Sequence, residues 1–285
     1  MAGDTEIVLL ATWSGMPDGE EWAGTDHLLP AMAAQGIDAR WQVWDDPDVD
    51  WSQGLVAVRS TWDYERRRAE FLDWARSLPW LLNSAAVFEW NTDKAYLPRL
   101  ADAGVPVVPT VVVQSTEELL PAVSAFGASV VKPCVGAGGR GVVVLDGRSG
   151  AEPDFGVGPW VVQPLVESVR TEGETSVFVL GGQVVSQAQK RPAPGELRVH
   201  ETYGGTTVAT PVSQEAADVA RRAVAAAEAI LGERLDYARV DQMRLSDGTL
   251  AVSELEVTEP GLYLEVLPEN AAAFAQLVAE RLLSA

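Results

Sequence analysis

Residues 131–145 read VKPCVGAGGRGVVVL. An apolar run passes through Lys-Pro into a loop with four glycines, then into a second apolar, β-branched run. Glycines spaced this closely let a backbone approach something that side chains would hold off. Two common phosphate loops do not fit. A P-loop carries Gly-Lys-Ser/Thr and runs into a helix, and a dinucleotide loop also opens a helix. Here VVVL reads as a strand. The remaining possibility is a hairpin of strand, glycine loop and strand. Its backbone N–H groups can cover a polyphosphate, or it can be an ordinary hairpin tip.

Two lysines favour the first option. Lys132 ends the apolar run SVV, where a charge is costly without a partner. Lys94 falls early in a preceding helical stretch, in a chain with few lysines. The alternative for each is a solvated surface position.

The formal net charge is −20, with 21 Lys and Arg against 41 Asp and Glu. That argues against nucleic-acid or anionic-membrane partners, which need a basic face. No apolar run reaches membrane-spanning length. The one cysteine, Cys134, cannot form an internal disulfide, so a reducing cytoplasm is expected. A chain of 285 residues is long enough for two or three packed subdomains.

In the first 90 residues, strands alternate with helices. Strands are predicted at 6–12, 39–44 and 55–59, with helices at 25–35 and 65–78. This pattern predicts a parallel α/β sheet. Nine of the ten tryptophans lie here, either as core or lining a cleft, with Trp62 in a polar loop. A helix is predicted from 91 or 92 to Gly104, a strand over 105–113, and a helix after Ser115 with Glu118 in capping-box spacing. Hairpins are predicted around Gly181-Gly182 and Asp247-Gly248, flanking a helix over 213–231.

If Asp247-Gly248 is a two-residue turn, Ser246 faces Thr249 and Asp241 faces Glu254. Glu256, two residues on, shares the face of Glu254. Three carboxylates then crowd one patch, where like charges destabilise a sheet. A divalent cation relieves this, and oxygen-only ligands suit Mg²⁺ or Mn²⁺. The alternative is an exposed acidic face. Lys190, Arg191 and Arg198, around KRPAPGELR, can meet a phosphate or a carboxylate, or form a solvated turn.

The pieces NTDKAYLPRLADAGVPVVPT, VVKPCVGAGGRGVVVL, WVVQPLVE, EGETSVFVLGGQVV, RVDQM and SELEVTEPG together resemble the ATP-grasp superfamily. The resemblance is strongest to the branch of glutathione synthetase and the ribosomal-protein glutamate ligases. It implies an N-terminal α/β domain over residues 1–90, a central subdomain over 91–165 and a C-terminal one over 166–285. The last two are α+β and clamp ATP. It also implies that Gly136, Gly138, Gly139 and Gly141 form a lid over the phosphates. Lys94 and Lys132 would contact the phosphates and adenine side. Gln163, Pro164, Leu165 and Val166 would hold adenine, and Glu174 the ribose. Asp241, Glu254 and Glu256 would be Mg²⁺ ligands, the third a departure from the more frequent Asn. Arg198, with Lys132 and Lys190, would serve catalysis.

The N-terminal stretches WQVWDDPDVDW, VRSTWDY, LLN and EWNTDK resemble a narrower group containing the D-cycloserine-forming cyclo-ligase. This resemblance makes Arg59, Ser60, Thr61 and Trp62 a candidate substrate loop, Arg59 being either a carboxylate anchor or a structural ion pair. Arg191, Glu259 and Gly261 are further candidate substrate contacts. Three functions follow. The first is a carboxylate–amine ligase acting on a small amino-acid-like substrate through an acyl-phosphate, releasing ADP and phosphate. The others are a cyclo-ligase closing a ring within one molecule, and a non-catalytic nucleotide-binding module. Relatives of this kind imply a homodimer or homotetramer.

Overall fold

The computed structural model describes residues 6–19, 27–145 and 155–284. Three sheets organise the chain. β1 (Ile7–Thr12), β2 (Asp38–Val43) and β3 (Leu55–Ser60) form a parallel sheet in the order β2-β1-β3. All six residues of β3 are buried, as expected of a parallel strand covered on both faces. α1 (Leu28–Ala34) and α2 (Arg68–Ser77) occupy the predicted helical stretches, though residues 25 and 26 lie outside the described ones.

The helix expected from 91 or 92 to Gly104 divides differently. α3 (Ala85–Asn91) is capped by Ser84, whose Oγ accepts from the Val87 N–H, and α4 (Tyr96–Asp102) follows a turn. The expected strand over 105–113 shrinks to β4 (Val111–Val113). Val107 instead bridges to Val252 of another sheet. α5 (Thr116–Phe126) does not close the expected capping box. Glu118 reaches back to the Gln114 N–H at 2.7 Å, while the Ser115 side chain makes no cap.

β5 (Ser129–Pro133), β6 (Val143–Leu145) and β7 (Trp160–Pro164) join β4 in an antiparallel sheet ordered β4-β7-β5-β6. The glycine loop therefore links two hairpin strands, β5 and β6. The third sheet has the order β10-β9-β8-β11-β12. Its strands are β8 (Glu174–Leu180), β9 (Gln183–Arg191), β10 (Thr206–Thr210), β11 (Tyr237–Arg244) and β12 (Leu250–Glu256). β10 has no counterpart in the sequence reading. α6 (Gln214–Leu231) starts at Ser213, whose Oγ accepts from the Ala216 N–H, and stops at left-handed Gly232. It packs on β8 and β12, and α7 (Glu269–Leu283) packs on β8, β9 and α1.

The β11–β12 hairpin corrects one expectation and keeps its consequence. Leu245 N–H donates to the Thr249 carbonyl at 2.8 Å, and Arg244 pairs with Leu250. The turn thus holds three residues, Ser246 to Gly248, with Gly248 at φ 88°. A bulge then inserts Ser253 on β12, because Gln242 pairs with Val252 and Asp241 with Glu254. The longer turn shifts the register by one residue and the bulge shifts it back.

Candidate active site

A cleft of about 1090 Å³ opens where the three sheets meet. One wall comes from β5, the glycine loop and the end of β7. Another comes from β8, β9, β11 and β12. The rim comes from residues 62–66 and 196–203.

Lys94 is tied to the glycine loop and to the opposite sheet. Its Nζ donates to the Gly136 carbonyl at 2.6 Å and pairs with Glu254 at 3.1 Å. Burial works against its charge, but Glu254, with Glu256 and Glu259 behind it, outweighs that and raises the pKa. Lys132 lines the same wall with its pKa lowered by burial, and Lys94 adds to the effect. Gly136, Gly138 and Gly139 line the cleft; Gly141 does not, and packs on Pro133. At Gly139, φ is 70° and a Cβ would come within 3.2 Å of the Tyr203 ring. Glycine there lets the loop approach the rim. Gln163, Pro164, Leu165 and Val166 line the far end, with Gln163 Nε2 donating to Thr110 Oγ1 at 2.9 Å.

The opposite wall is a lattice of charges. Lys190 sits between Glu174 and Asp241, pairing with the first and lying 3.1 Å from the second. Asp241 accepts from Arg239 Nε and Nη2, both at 3.0 Å, and from Ser176 Oγ at 2.6 Å. Burial opposes its ionisation, yet Arg239 and Lys190 hold its pKa well below the usual range. Arg239 also binds Glu256, its direct cross-strand partner. Glu256 is raised to about 7, first by burial and then by Asp241 and Glu254, which Arg239 offsets only in part. Tyr263, at φ 54°, lays its ring 5.1 Å from the Arg239 guanidinium and 5.9 Å from Lys190 Nζ. Ser253, the bulged residue, donates to Glu174 Oε2 at 3.0 Å.

At the rim, Arg198 makes a fork onto Glu196, Nη2 to Oε2 at 2.6 Å and Nε to Oε1 at 3.1 Å. Glu196 is held down to about 2 by that pairing. The Arg198 guanidinium stacks 3.5 Å from the Tyr203 ring centre. Across the glycine loop, Glu65 accepts from the Ala137 N–H at 2.8 Å and from Arg140 Nε at 2.5 Å.

Several predicted substrate residues do not reach the cleft. Arg59 has no exposed surface; Nη2 donates to the Pro260 carbonyl at 2.6 Å, and the guanidinium lies 4.7 Å from the Phe274 ring. Ser60 donates to Thr12 Oγ1 at 2.8 Å, and Thr61 is buried. The reason is that β3 is covered on both faces, so its continuation surfaces only at Trp62, which does line the cleft. Arg191 points away because β9 alternates; Lys190 faces in while Arg191 donates outward to the Thr171 carbonyl at 2.9 Å. Glu259 and Gly261 line the cleft.

The sequence reading missed Arg239, Tyr263, Glu196 and Asn91. Arg239 carried a usable signal, since it stands two residues before Asp241 and opposite Glu256 in the register already applied to the carboxylates. Asn91 carried none. Its amide bridges the end of β12, donating to the Leu255 carbonyl at 2.7 Å and accepting from the Val257 N–H at 3.0 Å.

Residues 8–83 match the family model "D-cycloserine synthetase DcsG, N-terminal domain". Residues 100–230 match "Prokaryotic glutathione synthetase, ATP-grasp domain". The chain is 37% identical over 278 residues to the cycloserine biosynthesis protein DcsG of Streptomyces lavendulae, covering 90% of this chain and 92% of that one. The chain belongs to the DcsG family of ATP-grasp ligases. The crystal structure of D-cycloserine synthetase DcsG superposes with a TM-score of 0.85 at 33% identity, covering 97% of this chain and 99% of that one. The glutathione synthetase of Bordetella parapertussis is 26% identical over 216 residues, covering 72% and 63%.

As a DcsG-family ligase, the chain is an ATP-dependent enzyme with an ATP-grasp fold, and it acts on a small molecule with ATP and a divalent cation. The residues present fit such a cation by donor chemistry. Asp241, Glu254 and Glu256 offer only hard oxygens, and burial leaves Glu256 short of compensating charge. Among the described residues no three such groups already enclose a point, since each carboxylate is drawn to Arg239, Lys190 or Lys94. No described helix is long and apolar enough to cross a membrane.

Proposed function

We propose that this chain is a cyclo-ligase. It activates the carboxyl group of one small amino-acid-like substrate with ATP and closes a ring onto a nitrogen of the same molecule, as in D-cycloserine-type antibiotic biosynthesis. The observation that carries this is the 37% identity to the cycloserine biosynthesis protein, which extends through the N-terminal residues beside the acceptor end of the cleft. The intermolecular carboxylate–amine ligase takes second place to it, because the glutathione-synthetase likeness is weaker. The intact set of charged residues in the cleft argues against a non-catalytic module.

On this reading residues 1–90 hold the acceptor, and 91–165 and 166–285 clamp ATP. The γ-phosphoryl group passes from ATP to a carboxylate oxygen of the substrate, leaving ADP. The ring nitrogen then attacks the acyl carbon, loses a proton and expels phosphate. Lys94 and Lys132 hold the phosphates under the lid of Gly136, Gly138 and Gly139. Gln163 to Val166 seat adenine and Glu174 takes the ribose, with Lys190 and Ser253 orienting its carboxylate. Asp241, Glu254 and Glu256 would hold Mg²⁺, which when bound neutralises charge on the transferred phosphoryl group. Arg198, prealigned by Glu196 and Tyr203, stabilises the negative oxygens of the acyl intermediate. The enzyme is cytoplasmic, where Cys134 stays a thiol.

The test is release of ADP and phosphate from MgATP with O-ureidoserine, each enantiomer alone, against amino acids supplied in pairs. Turnover with a single compound is expected. A requirement for two compounds restores the intermolecular ligase, and pyrophosphate release overturns the acyl-phosphate.

A further inference from the structure

Five carboxylates crowd the part of the cleft made by β8, β11, β12 and the loop after β12. Four have cations. Glu174 and Asp241 share Lys190, Asp241 and Glu256 share Arg239, and Glu254 has Lys94. Glu259 differs. It is 8% exposed and lines the cleft. Among the described residues its carboxylate has no hydrogen bond and no ion pair. Burying an unpaired carboxylate is costly, and a partner arriving from outside the chain removes the cost.

The surroundings of Glu259 select the kind of partner. Its backbone carbonyl accepts from Trp62 Nε1 at 3.3 Å, which ties it to the N-terminal rim. Trp13, Met16 and Trp62 line the same cleft. Aromatic faces favour an organic cation. A metal ion such as Mg²⁺ needs several oxygens; Asp241, Glu254 and Glu256 already offer them, and Glu259 stands on the segment after β12 that Trp62 ties to the rim.

We propose that Glu259, whose backbone Trp62 ties to the N-terminal rim, is a subsite for a primary ammonium group of the acceptor. The acceptor is then a small amino acid with a free amine, and its N-acylated form is refused. This rests on the reading that the cleft holds an amino-acid-like acceptor beside ATP.

The test uses the full chain with Mg²⁺ and AMP-PNP. Binding of D- and L-serine amide is measured by calorimetry against the N-acetylserine amides. The amides carry no carboxylate, so binding is read without turnover. A preference for the free amine of at least about tenfold is expected for a charge-assisted bond. Glu259→Gln should erase that preference and Glu259→Asp should keep part of it. Both should retain wild-type affinity for MgAMP-PNP, and Glu259→Gln should lose no thermal stability, because it removes a carboxyl whose ionised form burial and Glu256 already disfavour. Equal binding of the two amides, no binding of either, or an undiminished preference in Glu259→Gln overturns the subsite. Weakened MgAMP-PNP binding in Glu259→Gln overturns it too and gives the carboxylate to the metal. A chain that binds serine amide selectively yet releases no ADP with O-ureidoserine keeps the subsite and loses the ring-closing reading.

Discussion

Arg239 and Arg59 are both buried arginines at strand positions, and they serve different ends. Arg239 compensates two carboxylates at once, with 7% of its side chain exposed. Arg239→Met leaves Asp241 and Glu256 without their shared cation. It should cost about 3–5 kcal/mol of stability, read as a lowered denaturation midpoint. Glu254 is partnered by Lys94 and borders solvent, so Glu254→Gln should keep the fold while turnover falls by on the order of 10²–10³. Normal activity in that variant would remove Glu254 from the metal set. Cys134 is 1% exposed and burial pushes its thiol up to about 12. Iodoacetamide at pH 8 should therefore leave it unmodified in the native protein and alkylate it once urea unfolds the chain. Arg59 took the structural of its two readings, because β3 is covered on both faces and its guanidinium meets the Pro260 carbonyl. Arg239 was legible, because a strand's period of two and the hairpin register already placed it with the acids.

At the scale of elements, the glycine loop and the β11–β12 hairpin carry the site. Gly141 has φ 70°, and a Cβ there would lie 2.8 Å from Pro133 Cγ. Gly141→Ala should strain the loop by about 1–2 kcal/mol. The expected readout is a raised KM for ATP with a denaturation midpoint lowered by no more than that strain. A wild-type KM would show that the loop tolerates a side chain. The hairpin shows why local reading succeeded at the carboxylates by an incomplete route. Turn chemistry at Asp247-Gly248 pointed to a two-residue turn, whereas Ser246 joins the loop and the Ser253 bulge restores the pairing. A bulge has no short-range sequence signature here, because it is stabilised from outside the hairpin. The Val252 N–H donates to the Pro106 carbonyl at 2.8 Å, and Ser253 reaches Glu174.

Across the whole molecule, the cleft exists because three sheets converge and the rim clasps the glycine loop from two sides. Glu65 holds Ala137 and Arg140 on one side, and Arg198 with Tyr203 packs against Gly139 on the other. The Arg140 side chain is 42% exposed, so the ion pair itself adds little stability. Glu65→Gln should leave the denaturation midpoint unchanged and still raise KM for ATP several-fold, because the loop loses its anchor to the N-terminal rim. An unchanged KM would make the clasp incidental.

Period and punctuation in the sequence were enough to determine the parallel N-terminal sheet, the strand–loop–strand around the glycines and the long helix ending at Gly232. These rest on periodicity within single elements, on the alternation of strands with helices, and on one hairpin, where local pattern acts directly. Only tertiary structure decided that Arg59 is buried, that Asn91 pins the end of β12, and that Glu259, among the described residues, is left without an ion pair. Each of those outcomes depends on segments 164 to 201 residues apart meeting in space. A local pattern holds no information about which side chain then finds a partner.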